Sequence, residues 1–256
     1  MPLTPIVKST DDTVRKEREE LAQRVVACVG CQAPVPRLLC FLDDVDWQAF
    51  KTENGIANRG FYARVRAGDP HWRIAPSYVL ASVFVDGVAT VDDFIYLHGT
   101  TCSNDIGLTM TLAHELQHFM QRTGHAKLWA ANTLVPNLQK SAIAELGLRW
   151  CDVPHERDAR IVAKRTAEKL FGSGAVLRHI DGKIAERLTE SDAADWGCIR
   201  GLSASDPFDL ASETRLFFRR LRNYRAQLES ALRHFQSCDP DFADIDLDAL
   251  LAAPGI

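Results

Sequence analysis

No run of about 18 apolar residues free of charge occurs anywhere in the 256-residue chain, so a membrane-spanning helix is excluded. The longest apolar stretch, Tyr78 to Val85, is less than half that length. The first residues, MPLTPIVKSTDD, lack the apolar core and small-residue cleavage site of a secretory signal, which makes the cytoplasm the expected compartment. An excess of positive charge is missing too. Thirty basic against 34 acidic residues leave a net charge of −4, which argues against a dedicated nucleic-acid binder. Internal repeats and low-complexity tracts are absent. The disordered class is excluded by a hydrophobic content of 46% with modest net charge.

Paired cysteine motifs are also lacking. The seven cysteines, an odd number, read as reduced thiols in a chain with no signal peptide. Cys28 and Cys31 form a lone CxxC with no second pair of ligands to complete a four-coordinate structural zinc site, so they read as small apolar residues near a helix end.

What is present falls into three parts: an N-terminal helix and connecting segment over 1–60, a core over 61–172, and a helical region with an acidic tail over 173–256. A charged helix is expected from about Ser9 to Gly30, with Val14, Leu21, Val25 and Val26 on one side. The Pro-containing connection Ala33 to Pro36 leads to a short strand at Leu38 to Leu42. The β-branched and aromatic segments Phe61 to Arg66, Tyr78 to Val85 and Phe94 to His98 predict further strands, and Asp86-Gly87 predicts a two-residue hairpin turn. Helices are then predicted over Ile106 to Arg122, Pro136 to Leu146 and Pro154 to Phe171, each of the last and first stopped by a glycine. A final long helix is expected from near Asp206-Pro207 to near Cys238.

The chemistry concentrates in His114-Glu115-Leu116-Gln117-His118, an H-E-x-x-H pattern. On a helix, residues i and i+4 lie about 40° apart, so both imidazoles project from one face with Cβ atoms about 5–6 Å apart. That separation suits two nitrogens on one Zn²⁺. Leu108, Leu112, Leu116 and Phe119 supply an apolar stripe on the opposite side. A catalytic zinc needs a third protein ligand. His125 falls one residue late for the metzincin spacing, and no methionine follows the motif to form a Met-turn, the three being Met1, Met110 and Met120. Glu156 is the better candidate: with Ala159, Ala163 and Ala167 it shares the small-residue face of a helix opened by Pro154, and a carboxylate pointing inward needs a partner. Its neighbour His155 is the fallback, and the competing role for Glu156 is complementing the helix dipole.

H-E-x-x-H on one helix with a later E-x-x-A on a second, Glu156 to Ala159, resembles the gluzincin type of zinc metallopeptidase, over about Phe94 to Gly172. Arg160 stands where many relatives carry Asp or Asn, leaving Asp158 or Asp152 to replace that acceptor. The resemblance implies an α+β, zincin-like fold: a small twisted, mostly antiparallel sheet backed by the motif helix, with Phe94 to His98 as an edge strand for peptide pairing and a helical C-terminal half. It also implies zinc held by His114, His118 and Glu156, with Glu115 taking the proton of a water activated by the metal. The expected activity is hydrolysis of peptide bonds in a protein or peptide substrate, restrained in the cell by narrow specificity or by a protein regulator. Tyr224, His179, His234 and several arginines are the candidates for stabilising the oxyanion. The rival reading gives the zinc a structural or regulatory role and places a protein or nucleic-acid partner on the Arg-rich segment Arg215 to Arg233. The plainer account of that segment is an amphipathic helix packed through Leu216, Phe217, Leu221, Leu228 and Leu232.

Overall fold

The computed structural model describes residues 6–8, 12–32, 36–41, 60–66, 91–98, 104–135, 138, 145–186, 190–205, 207–237 and 239–252. Among them are four strands, β1 (Ile6–Lys8), β2 (Arg37–Phe41), β3 (Gly60–Arg66) and β4 (Val91–His98), and nine α-helices. The helices are α1 (Asp12–Val29), α2 (Asp105–Gly124), α3 (Ala126–Thr133), α4 (Pro154–Phe171), α5 (Ser173–Ala185), α6 (Glu190–Gly201), α7 (Leu210–Arg220), α8 (Arg225–Gln236) and α9 (Leu247–Leu251). None is long and apolar enough to cross a membrane.

The described residues are therefore mostly helical, which corrects the expected α+β, zincin-like class. The strands are only three to eight residues long and lie in the order β1-β2-β4-β3. Two of the three pairings, β1 with β2 and β2 with β4, are parallel, and only β3 with β4 is antiparallel, so the expectation of a mostly antiparallel sheet is also corrected. The physical reason is connectivity. Parallel neighbours need a long crossover, whereas only hairpins leave a local mark in sequence. The expected edge strand Phe94 to His98 belongs to β4, which is flanked on both sides, so its backbone is already paired. The expected strand Tyr78 to Val85 and the turn at Asp86-Gly87 lie outside the described residues, as does most of the expected helix from Pro136 to Leu146.

The chain divides into two compact units, Met1–Phe119 with Val162–His179, and Met120–Ile161 with Ile180–Ile256. In the first, Ile95 and Leu97 are buried on one face of β4, as the two-residue period of a strand requires. Helix α2 starts where expected: the Asn104 side chain accepts a hydrogen bond from Gly107 N at 2.9 Å, satisfying one orphan donor of the first turn. Arg18 of α1 pairs with Asp105. Leu108, Leu112, Leu116 and Phe119 are all buried, one row down the helix. Helix α4 ends at Gly172, whose φ of +81° is left-handed backbone that a side chain would strain.

The second unit has its own apolar core, in which Leu134, Leu148, Phe218, Leu221, Leu228 and Phe242 are buried together. The long helix expected up to Cys238 is two helices, α7 and α8, separated by a 3₁₀ turn at Arg222–Tyr224. Buried Leu221 sits at the break, and its carbonyl accepts from Tyr224 N at 2.9 Å. Leu216, expected in the packed face, is instead 50% exposed, and Phe218 is buried in its place. Asp209 caps α7 by accepting from Ala211 N and Ser212 N. Those hydrogen bonds, the Ser212 side chain's first, hold its carboxyl below the usual range.

Candidate metal centre

The motif helix places His114 and His118 one turn apart, as the spacing predicts. Their Nε2 atoms lie 3.0 Å from one another, with the rings edge to face at 4.5 Å. Two nitrogens at about 2.0–2.1 Å from a tetrahedral ion stand about 3.3 Å apart, so this pair is set close to the edge of a coordination tetrahedron. Two imidazoles turned Nε2 to Nε2 gain at most one hydrogen bond from each other, whereas both lone pairs suit one cation.

Glu156, in the first turn of α4, completes the group: its carboxylate and the two imidazoles offer ligand atoms that all lie within 4.8 Å of one another. This is the one group of three or more His, Cys, Asp or Glu side chains among the described residues arranged to hold a metal ion. Its approach is set by Gln121, three residues beyond His118 on α2. The Gln121 amide donates to the carbonyl of His155 at 2.9 Å and to Asp158 Oδ2 at 2.8 Å, both in the first two turns of α4. These two hydrogen bonds join Gln121 to the residues on either side of Glu156 in α4.

Glu156 is only 6% exposed, so its charge requires compensation. His155 Nε2 lies 3.6 Å from Oε1, and Arg160 Nη1 lies 3.7 Å from Oε2. Arg160 is itself buried and reaches Asp195 Oδ2 on α6 through Nη2 at 3.4 Å. Glu115 is 7% exposed and stands outside the ligand group. Two nitrogens and one carboxylate oxygen suit zinc and other first-row divalent ions rather than calcium, which takes oxygen donors.

The other candidates are accounted for as follows. His125 is exposed, opens α3 without a side-chain cap, and is not in the metal group. His155 is buried beside Glu156 but faces its carboxylate and does not join the group. Asp158 accepts from Gln121, whereas Asp152 caps its own 3₁₀ turn (Trp150–Asp152) through Arg149. Burial pushes the Asp152 carboxyl up, but the hydrogen bonds from Arg149 outweigh it and hold the group below its usual range. Tyr224 donates its hydroxyl to Glu145 at 2.8 Å. His234 packs against Phe235, and neither it nor His179 belongs to the metal group. Within the Arg-rich segment, Arg225 pairs with Glu229 and Asp248, Arg220 reaches the Leu146 carbonyl and Arg222 the Leu251 carbonyl, so these cations have partners inside the chain. Sequence reasoning missed Gln121 and Asp195. Gln121 carried one signal, being a polar residue on the motif helix one turn beyond His118. Asp195 carried none.

Comparison with known proteins finds no family model, curated protein or solved structure that matches the chain.

Proposed function

We propose that the chain is a zinc-dependent hydrolase of peptide bonds, of the gluzincin type that H-E-x-x-H and the later Glu156 resemble. The observation that carries the reading is the convergence of Glu156 on His114 and His118. A residue 38 positions beyond the motif meets it with the donor type that a catalytic zinc site requires. His114, His118 and Glu156 would hold the ion, which leaves a fourth position open. A bound zinc supplies Lewis acidity there, polarising a carbonyl oxygen and acidifying water.

The protein's own part is proton transfer. Glu115 is next to the first ligand, buried and outside the ligand group, where a carboxylate takes a proton from the attacking water. It then delivers that proton to the leaving amine. Gln121, with Asp158 and the His155 backbone, holds the two helices in register so that base and ligands keep their spacing.

The test is Glu115→Gln, which keeps shape and one acceptor oxygen but removes the base. Zinc content and the circular dichroism spectrum should be retained, and cleavage of a mixed peptide library should fall by about 100-fold or more, the scale of general-base catalysis. Equal cleavage by wild type and Glu115→Gln, with zinc bound in each, would refute the mechanism.

A further inference from the structure

Arg160 is an unusual neighbour for a metal ligand. A guanidinium is always charged, and this one is 8% exposed, with Nη1 3.7 Å from Glu156 Oε2. That separation is an ion pair but too long for a hydrogen bond. Nη1 is buried and has no hydrogen-bond partner among the described residues. The other arm, Nη2, leans on Asp195 at 3.4 Å, and Asp195 is the more exposed of the two acids. Arg160 is thus shared between two carboxylates and is well bonded by neither.

We infer that Arg160 competes with the metal ion for Glu156, and that Asp195 sets the strength of that competition by drawing the guanidinium away. The inference rests on the metal reading of His114, His118 and Glu156. Two electrostatic effects act together. A fixed positive charge beside a ligand repels an arriving cation, and in a poorly solvated site the repulsion is weakly screened. The same charge stabilises the Glu156 carboxylate before the ion arrives, so part of its donor strength is already engaged. When the ion binds, Glu156 turns its charge to the metal and Arg160 loses its partner. Asp195 stands on the other side of the guanidinium to receive it. The three ligands therefore hold their ion less tightly than they would without Arg160, and they exchange it more readily.

The experiment measures the zinc dissociation constant of the full chain by competition with a chromogenic chelator at fixed pH. Arg160→Gln, which keeps length and polarity but loses the charge, should bind zinc about tenfold more tightly, the scale on which groups behind the ligands move metal affinity. Asp195→Asn should bind about tenfold more weakly, because the guanidinium then rests wholly on Glu156. Arg160→Gln combined with Asp195→Asn should match Arg160→Gln alone. Weaker or unchanged binding in Arg160→Gln would overturn the inference, since it makes Arg160 a mere prop for Glu156. So would a weakening by Asp195→Asn that persists in the Arg160→Gln background, since Asp195 would then act without Arg160. If circular dichroism shows that Arg160→Gln does not fold, Asp195→Asn decides alone: weaker binding supports the inference and unchanged affinity overturns it. His114→Ala runs beside these variants. Wild-type affinity in His114→Ala overturns the metal reading itself, a result distinct from failure of the Arg160 arm.

Discussion

Arg122, one turn beyond His118, offers the sharpest test of how the motif helix is held at its C-terminal end. Its Nε donates to Asp241 Oδ2 at 2.6 Å and its Nη2 to Asp239 Oδ2 at 3.2 Å, while the guanidinium lies 4.5 Å from the centre of the Trp129 ring. Asp239 also caps the 3₁₀ turn Pro240–Phe242 by accepting from Asp241 N, and Phe242 stacks on Phe235 at 4.6 Å in the core of the second unit. Arg122→Met keeps the apolar stem against Trp129 and removes the charge together with both hydrogen bonds. Breaking a fully buried pair costs about 3–5 kcal/mol, because the partner is left uncompensated. Arg122 is 7% exposed, but Asp241 and Asp239 are 15% and 24% exposed, so water recovers part of that cost. The loss of the cation over Trp129 adds about 0.5–1 kcal/mol. The expected destabilisation is about 3 kcal/mol, read from the urea midpoint at unchanged slope near neutral pH. Adding Asp239→Asn and Asp241→Asn should restore part of it by removing the uncompensated charges. Zinc content should be unchanged, since Arg122 is not a ligand. A loss below about 1 kcal/mol, the range of an exposed ion pair, would refute the clamp.

The remaining predictions concern the site and one thiol. The purified chain should hold about one zinc, as a single three-ligand site implies, and lose it in His114→Ala or His118→Ala; full retention in both refutes the site. Glu156→Gln should weaken zinc binding more than His125→Ala, and the reverse order by chelator competition would return the third ligand to His125. Burial first, and then a hydrogen bond with Cys198, push the Cys151 thiol up to about 12. Its alkylation at mildly alkaline pH should therefore be far slower in the native chain than in urea, and equal rates would contradict that environment. The same shift has a stability consequence. An unfolded thiol ionises at about 8.5 while the folded one stays neutral, so the stabilisation is complete below about 8.5 and is lost as pH rises through about 12. The urea midpoint of wild type should fall faster than that of Cys151→Ala over this window.

How much of the fold could be read depended on how local its cause was. Helix α2 was legible because its apolar stripe and terminal glycine lie within its own 20 residues. The sheet was not, because pairing β2 with β4 joins Arg37 to Phe94 and Phe41 to His98, each 57 positions apart, and nothing in either strand names its partner. The break between α7 and α8 was hidden for the opposite reason. Phe217, Phe218, Leu221, Leu228 and Leu232 keep a helical apolar rhythm through the 3₁₀ turn, since both halves bury their faces in one core. Periodicity reports which face is buried, and it is silent about a kink that leaves the face intact. Helices α5 and α6 fall inside the region over 173–256 that was expected to be helical, but their bounds could not be read because Gly174, Gly182 and Gly197 interrupt their patterns, glycine being a poor helix former that packing can override.

The candidate site divides along the same line. His114, Glu115 and His118 are fixed by the geometry of one helix, so their spacing in sequence already carries their arrangement in space. Glu156 was one step harder, and it was reached through chemistry: a carboxylate on the alanine face of α4 was bound to be buried, and a buried carboxylate needs a cation or donors. That argument named the need without naming who meets it. The structure answers with His155, Arg160 and the two imidazoles around one carboxylate. Arg160 had registered in the sequence as a mismatch, standing where many gluzincins, which the motif resembles, carry Asp or Asn. Asp195 on α6 gives that guanidinium a second carboxylate, with Oδ2 3.4 Å from Nη2. The departure from the gluzincin pattern and the distant acid thus meet at one guanidinium, and only the fold places Arg160 and Asp195 side by side.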